Sequence, residues 1–94
     1  MPPVHPGEIL REDFLAPLNM SVHTLALILH ISATHIENIV EERDSITADL
    51  AERLARYFGG DAASWLQLQA IYDLKTLPNR DEILRQIQPR NQVA

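Results

Sequence analysis

Cysteine is absent from the 94 residues of this chain. Its absence excludes a disulfide framework and any metal site built from thiolates. No apolar run approaches the roughly 20 residues that a membrane-spanning helix requires, and the longest notable run covers only residues 25–29. The opening stretch MPPVHPGE lacks both a basic start and an apolar segment. We therefore expect no signal peptide, no membrane partner and a cytoplasmic location.

Basic residues are also few. Eight Lys and Arg stand against 13 Asp and Glu, which gives a net charge of −5 at pH 7 with histidine neutral. Phosphate neutralisation supplies most non-specific affinity for nucleic acids, so an acidic chain is not the composition expected of a DNA-binding protein. The hydrophobic fraction of 46% is typical of a folded domain. At this length one domain is the default, and pairing with a second copy would stabilise a small core.

Apolar residues recur at helical spacing along most of the chain, and no strand-like alternation competes with them. The pattern predicts six helices. Pro6 suits the first turn of the first helix, and Pro17 is predicted to end that helix at or before Ala16. The other helices begin after side chains that can cap a helix N-terminus, which are Ser21, Ser32, Thr47, Asp61 and Asn79. A Gly-Gly pair and two later prolines are predicted to end the last three helices.

Two short predicted helices separated by three residues form the most informative unit. In a DNA-binding helix-turn-helix the two helices cross steeply, so a small residue is needed at the crossing and apolar residues at fixed positions around it. Ala26 is the small residue. The apolar positions are occupied by Leu25, Leu29, Ile31, Ile36 and Ile39. This pattern predicts a helix-turn-helix, and an ordinary helical hairpin is the alternative.

The stretch over residues 21–59 resembles the lambda-repressor-like (Xre) helix-turn-helix family. The motifs HPGEILREDFL at 5–15, IT at 46–47, LARYFG at 54–59 and WLQLQAIYDL at 65–74 resemble its HigA-type antitoxin branch, also called the VapI type. The resemblance extends over about residues 4–77. It implies an all-α bundle of about five helices plus a short C-terminal helix, with a helix-turn-helix domain over residues 1–77 and a tail over 78–94.

The resemblance also implies two functions. Proteins of this kind are antitoxins of type II toxin-antitoxin pairs that neutralise a small HigB-like ribonuclease toxin. They are also transcriptional repressors that bind double-stranded operator DNA as homodimers. We expect neither a cofactor nor enzymatic activity. The alternatives are a stand-alone Xre-type regulator and a protein-interaction module of the same fold that has lost DNA binding.

In this family the N-terminal part of the third helix enters the major groove of DNA. Asn38 could bond the edge of an adenine through both amide atoms, and Thr34 could touch a base edge or a thymine methyl group. His35 and Arg43 could contact phosphates. Ser21 and His23, at the start of the second helix, could place backbone N–H groups or side chains against a phosphate. The resemblance thus assigns seven DNA-binding residues, which are Ser21, His23, Ser32, Thr34, His35, Asn38 and Arg43.

The chain departs from the family pattern at positions where phosphates would be contacted. Thr34 and His35 stand where basic residues are typical, and Glu41-Glu42-Arg43-Asp44 replaces an Asn-Gly-basic-basic turn. Between residues 21 and 46 there are one arginine and four acidic residues, a net charge of −3. Acidic side chains near phosphate are repulsive, and each missing base removes about one released counterion. We therefore expect weak operator binding.

The chain has four histidines, a residue type that often binds metal ions, but their spacing does not indicate a metal site. None of them forms an HExxH motif or a close pair with carboxylate support. We expect no metal site, and we expect all of them at the surface or in turns. The set is His5, His23, His30 and His35.

The fifth predicted helix carries two large aromatic residues seven positions apart, Trp65 and Tyr72. With Leu68 and Leu77 they recur at steps of three to five residues. Such spacing favours a stripe that faces the core over a site for a stacked ligand.

Overall fold

The computed structural model describes residues 2–90, so Met1 and residues 91–94 of the expected tail lie outside the described part. Every element in that part is helical, which confirms the predicted all-α class. We label as α1 the continuous run over residues 6–18, made of an α-helix at Pro6–Ile9, a π-helix at Leu10–Leu15 and an α-helix at Ala16–Leu18. The remaining helices are α2 (Val22–Leu29), α3 (Ala33–Val40), α4 (Ala48–Phe58), α5 (Ala62–Lys75) and α6 (Arg80–Gln86).

Helix α1 continues past Pro17, so the predicted end at or before Ala16 is wrong. The π-helical stretch before it explains why. The Ala16 N–H donates to the Arg11 carbonyl, five residues back instead of four. Pro17 follows directly, so its missing N–H falls where the bonding pattern changes and no regular α-helical bond is broken. The helix ends instead at Asn19, which has a left-handed backbone with φ 52°.

Helices α2 and α3 pack against each other and form the predicted helix-turn-helix unit. Of the six residues expected around their crossing, five are buried, and Ile31 in the turn is half-buried. Ala26 exposes 4% of its surface, which agrees with a small residue at a close approach of two helices. The inward pattern predicted for the unit is thereby confirmed.

Within residues 2–90, three residues other than glycine have left-handed backbones, and each follows one of the first three helices. Asn19, His30 and Glu42 have φ values of 52°, 58° and 64°. The Glu42 N–H donates to the Ile39 carbonyl, three residues back, at 3.0 Å. The Arg43 N–H donates to the Asn38 carbonyl, five residues back, at 2.8 Å. Glycine suits this position because it lacks a Cβ, so a residue such as Glu42 costs roughly 1 kcal/mol there.

Helix α5 packs against α4 and α1 and places Trp65 in the core. The centroid of the Trp65 ring lies 5.4 Å from that of Phe14. The prediction that the other residues of this stripe face the core is only partly correct, since Leu68 and Tyr72 are half-buried. Leu77 is 40% exposed because α5 ends at Lys75, before the stripe reaches it.

A polar residue that the helical periodicity did not select is buried on α5. Gln69 is only 5% exposed. Its Oε1 accepts a hydrogen bond from the Ile46 N–H at 2.8 Å, and its Nε2 donates to Asp73 Oδ1 at 3.0 Å. Because both ends of the amide have partners, its burial leaves no polar atom unsatisfied. The bond to Ile46 ties the segment between α3 and α4 to α5.

Helix α6 lies outside the core, since none of its residues is buried. Asn79 precedes it as predicted, but its side chain makes no capping hydrogen bond because its backbone is not extended as at the other caps. The molecule measures 55 × 24 × 23 Å. Its radius of gyration is 16.8 Å, against about 13 Å for a compact domain of roughly 100 residues. Leu84 in α6 and Ile87 directly after it are 60% and 65% exposed, so this end of the molecule presents apolar side chains that this chain does not cover.

Candidate nucleic-acid interface

The first turn of α3 carries three of the predicted DNA-binding residues. Ser32 is the N-cap, and its Oγ accepts a hydrogen bond from the His35 N–H at 3.2 Å. Thr34 is exposed, and His35 is half-buried. Ser32 therefore fixes the first turn of the helix, and Thr34 projects from that turn into solvent.

Asn38 and Arg43 are in direct contact at the other end of α3. Asn38 Oδ1 accepts hydrogen bonds from Nε and Nη2 of Arg43 at 3.3 and 3.1 Å. The same Nη2 forms an ion pair with Glu41 Oε2. In the backbone, the Asn38 carbonyl accepts a bond from the Arg43 N–H at 2.8 Å. The residues expected to meet a base and a phosphate thus form one connected unit.

Ser21 and His23 lie at the start of α2, and both are exposed. Ser21 caps the helix: its Oγ accepts from the Thr24 N–H at 3.1 Å and donates to Thr24 Oγ1 at 3.0 Å. The first N–H groups of a helix lack intrahelical acceptors and favour an anion such as phosphate. Within residues 2–90, no hydrogen bond joins this helix start to the pair formed by Asn38 and Arg43.

The exposed side of α3 and the turn after it are acidic. Glu37, Glu41 and Asp44 are all exposed. Arg43 is the one Lys or Arg between residues 21 and 46, and Glu41 already pairs with it. The negative charge counted from the sequence is therefore on the surface and close to the residues expected to contact DNA.

Comparison with known proteins places this arrangement in a family, although no family model matches the chain. Virulence-associated protein I of Dichelobacter nodosus is 60% identical over 75 residues, which cover 80% of this chain and 69% of the relative. Antitoxin HigA-1 of Vibrio cholerae is 31% identical over 78 residues, 83% of this chain and 73% of the relative. The solved structure of the Pseudomonas aeruginosa antitoxin HigA with the higBA promoter is 43% identical, with a TM-score of 0.90 over 95% of this chain and 99% of that one.

The chain belongs to the HigA-type antitoxin family. The resemblance inferred from its motifs is thus confirmed, and so is the lambda-repressor-like fold. A coincidental helical hairpin is excluded, because the likeness extends over nearly the whole of both chains. Its other relatives include proteins named as helix-turn-helix transcriptional regulators.

Two arginines that the sequence analysis did not select hold the helix-turn-helix of this HigA-type protein in place. Arg11 Nη1 donates to the Val40 carbonyl at the end of α3. Arg53 Nη1 donates to the Leu29 carbonyl at the end of α2, at 2.8 Å. The last carbonyls of a helix lack intrahelical donors and carry partial negative charge, so each contact stabilises a helix end. Nothing in their spacing distinguishes these arginines from solvated ones.

Both arginines also pair with acidic side chains. Arg11 Nε lies 2.9 Å from Glu12, and its Nη2 lies 3.6 Å from Glu42. Arg53 Nε donates to Asp49 at 2.6 Å. The hydrogen bond to Glu12 holds the pKa of Arg11 above its ordinary value, and the bond from Arg53 holds the pKa of Asp49 below its ordinary value. These positive charges are therefore partly neutralised before any DNA approaches.

The HPGE motif at the start of α1 packs against α3 in this HigA-type chain. His5 is 3% exposed, so the expectation of a surface or turn position is wrong for this histidine. Its Nδ1 accepts a bond from the Gly7 N–H at 2.9 Å, and its ring packs edge-on against Tyr72 with centroids 4.8 Å apart. Gly7 lies against α3, where an added Cβ would overlap the Ile39 carbonyl oxygen. The motif was visible in the sequence, but this long-range packing was not.

Within residues 2–90, no group of three histidine, cysteine or acidic side chains is placed to hold a metal ion. No helix in that part of the chain is long and apolar enough to cross a membrane. A groove of about 600 Å³ between α2 and α4 is lined by residues that include Ile28, Arg53 and Tyr57.

Proposed function

We propose that this HigA-type protein is the antitoxin of a type II toxin-antitoxin pair and a dimeric repressor of its own operator. It acts in the cytoplasm, by binding and not by catalysis. The observation that carries this proposal is the likeness, over nearly the full chain, to an antitoxin HigA solved with promoter DNA. Relatives named as antitoxins and as transcriptional regulators support the same pair of functions.

Helix α3 is the element that enters the major groove. Ser32, Thr34 and Asn38 face base edges, where hydroxyl and amide groups can read hydrogen-bonding patterns. The phosphates are contacted by residues at both ends of the unit, which are Ser21, His23, His35 and Arg43. In a dimer, two copies of α3 would meet successive major grooves about 34 Å apart.

Operator binding by this chain is weak. Arg43, the basic residue nearest to Asn38, is shared with Glu41, and Glu37 and Asp44 add exposed negative charge. Each of these carboxylates repels phosphate, and fewer basic contacts release fewer counterions. Sequence recognition by α3 must therefore supply a larger share of the affinity than it does in a basic repressor.

The DNA-binding domain extends over residues 1–77 and the tail over residues 78–94, and exposed apolar side chains of both make the dimer contact. Helix α6 has no buried residue in the single chain. Exposed apolar side chains continue from α5 into α6, namely Ile71, Leu74, Leu77, Leu84 and Ile87. Covering them with a second copy would gain about 25 cal/mol for each Å² of apolar surface removed from water.

The acidic surface suits a ribonuclease toxin. An enzyme that binds RNA needs a basic surface for the phosphates, for the same reason that DNA-binding proteins do. A chain with a net charge of −5 is complementary to such a surface. The charge that weakens DNA binding therefore favours binding of the toxin.

Two experiments test this function. Fluorescence anisotropy across a salt series should show tighter binding to the duplex upstream of the chain's own gene than to a random duplex of equal length. Equal affinity for both duplexes would favour an interaction module that has lost DNA recognition.

The second experiment tests the toxin partner. If expression of a neighbouring toxin-sized reading frame inhibits growth, co-expression of this chain should restore growth, and the two proteins should purify as a complex. If no such gene lies beside this one, the stand-alone regulator is favoured instead.

A further inference from the structure

The side-chain amide of Asn38 has a fixed orientation in the structure. An arginine guanidinium has only donors, so the Asn38 atom that faces Arg43 must be the carbonyl oxygen Oδ1. Both Nε and Nη2 of Arg43 lie within hydrogen-bonding distance of that oxygen, at 3.3 and 3.1 Å. The two donors occupy the side on which Oδ1 would accept a bond. The amide nitrogen Nδ2 is the group that remains for a base.

Arg43 is itself held in place by groups on both sides. Its Nη2 pairs with Glu41, and its backbone N–H donates to the Asn38 carbonyl at 2.8 Å. The left-handed backbone of Glu42, with φ 64°, brings Arg43 back toward Asn38. The contact between the two side chains is thus supported by the turn that ends α3.

We propose that Arg43 positions the Asn38 amide so that Asn38 reads a hydrogen-bond acceptor in the major groove and does not select adenine. This inference rests on the proposed DNA-binding function. Selective recognition of adenine requires Oδ1 to accept from N6 while Nδ2 donates to N7. With Oδ1 turned to Arg43, only the donor is presented.

A single donor has a different base preference from a full amide. In the major groove guanine presents N7 and O6, adenine presents N7, and thymine presents O4, all of which accept a hydrogen bond. Cytosine presents the N4 amino group, which donates. We therefore expect the base opposite Asn38 to be guanine, adenine or thymine, to each of which Nδ2 can donate, and cytosine to be disfavoured. Arg43 acts as a positioning residue for this choice, in addition to any phosphate contact.

Selection from a pool of randomised DNA duplexes, read by sequencing, tests this inference. The position read by Asn38 is the one at which base preference disappears in Asn38→Ala. There the wild-type chain should disfavour cytosine by about fivefold or more without separating guanine from adenine. Arg43→Met should release Oδ1, and adenine should then exceed guanine at that position by about fivefold or more.

Two further variants complete the design. Arg56→Met removes one positive charge from the exposed side of α4 and should leave the preference at that position unchanged. Asn38→Asp keeps an oxygen toward Arg43 and presents a second oxygen in place of Nδ2, so it should turn the preference toward cytosine. This second test does not depend on how Arg43→Met folds, although Arg43 is 61% exposed and its loss should be tolerated.

The outcomes separate this inference from the function on which it rests. If the wild-type chain enriches a sequence but Arg43→Met weakens binding to all sequences by one factor, Arg43 is only a phosphate contact and the inference is overturned. Unchanged preference in Asn38→Asp overturns it as well. If the wild-type chain enriches no sequence at all, the proposed repressor function fails, and the inference fails with it.

Discussion

Gly7 and Ile39 meet so closely that α1 and α3 leave no room for a side chain between them. A Cβ on Gly7 would overlap the Ile39 carbonyl oxygen and come within 2.8 Å of its carbonyl carbon. The same oxygen accepts the Glu42 N–H at 3.0 Å, so it belongs to the turn that ends α3. The packing of α1 and the geometry of the turn that ends α3 are therefore coupled through one backbone group.

We expect Gly7→Ala to destabilise the fold strongly, because the clash is with backbone that cannot rotate away. The loss should reach the upper part of the range of about 1–3 kcal/mol typical of overpacked cores. Gly60→Ala is the matched control, since its Cβ would meet nothing within 4 Å and only its left-handed φ of 83° opposes the change. Urea denaturation measures the free energy of unfolding of both variants and of wild type. A Gly7→Ala midpoint equal to that of wild type would contradict the packing described.

Gln69 provides a second prediction, about the segment that follows α3. Gln69→Leu removes the acceptor for the Ile46 N–H and leaves a buried donor without a partner, which costs about 1–3 kcal/mol. The exposed neighbour Gln67, changed to Leu, is the control for helix propensity and hydrophobicity. Hydrogen exchange at the Ile46 amide should accelerate in Gln69→Leu and not in Gln67→Leu. Equal protection in the two variants would show that this bond does not hold the segment.

Local signals predicted the helix-turn-helix, and long-range contacts explain what was missed. The burial of Ala26 and the caps at Ser21 and Ser32 depend on neighbours within one or two turns, which the sequence displays directly. The burial of Gln69 depends on Ile46, 23 positions away. Periodicity treats a glutamine as a polar, outward residue, so no pattern within α5 could reveal that bond.

The candidate site shows the same division. Its seven residues could be proposed because the family resemblance aligns them, but their mutual contacts could not. Asn38 meets Arg43 because Glu42 adopts a left-handed backbone, a conformation that glutamate rarely takes. Sequence alone shows that Glu42 stands where the family pattern has glycine, and it does not show that Arg43 turns back to contact Asn38. His5 was misplaced for a related reason, since its burial depends on Tyr72, far along the chain.

Asp61 provides a prediction about pH. Its carboxylate caps α5 by accepting the Ser64 N–H at 2.8 Å, and this bond holds the pKa of Asp61 below its ordinary value. A lowered folded-state pKa means that the stabilisation is present above the unfolded value of about 3.9 and is lost as pH falls through the folded value. Asp61→Asn keeps a capping oxygen that does not titrate.

We therefore expect the difference in melting temperature between wild type and Asp61→Asn to favour wild type at neutral pH and to shrink as pH falls below about 4. Asp61→Ala, which lacks the cap, should be less stable than Asp61→Asn at every pH. Thermal unfolding followed by circular dichroism measures all three proteins. A difference between wild type and Asp61→Asn that does not change with pH would show that the carboxylate contributes only as a neutral cap.

The exposed apolar residues in and directly after α6 predict the oligomeric state. Sedimentation at about tens of micromolar, well above the dissociation constants of ordinary dimers, should show a dimer for the wild-type chain. Leu84→Glu combined with Ile87→Glu should shift it to monomer, because both apolar side chains would become charged at the interface. The double variant Gln86→Glu with Gln88→Glu adds the same charge at exposed polar positions and should remain dimeric. A dimer in both variants would place the interface elsewhere.

We expect the acidic charge on the turn after α3 to limit DNA affinity. Glu42→Gly combined with Asp44→Arg should raise the affinity for DNA, for two reasons. Glycine accepts the left-handed backbone at position 42, where φ is 64°, without the Cβ penalty. Arginine at position 44 replaces a carboxylate that repels phosphate with a group that binds it. Arg11 loses its approach to Glu42 but keeps its bonds to Glu12 and to the Val40 carbonyl, so the end of α3 remains anchored.

Affinity should rise for the specific and the random duplex alike, since a phosphate contact carries no sequence information. The dependence of affinity on salt should steepen by about one counterion. By contrast, Asn38→Ala should weaken only the specific duplex if Asn38 contacts a base as proposed. Asp81→Arg makes the same change of charge as Asp44→Arg, but on α6. If Asp81→Arg raised affinity and salt dependence as much as the double variant does, net charge and not the position beside α3 would govern DNA binding, and the assignment of this turn to the phosphate contact would be wrong.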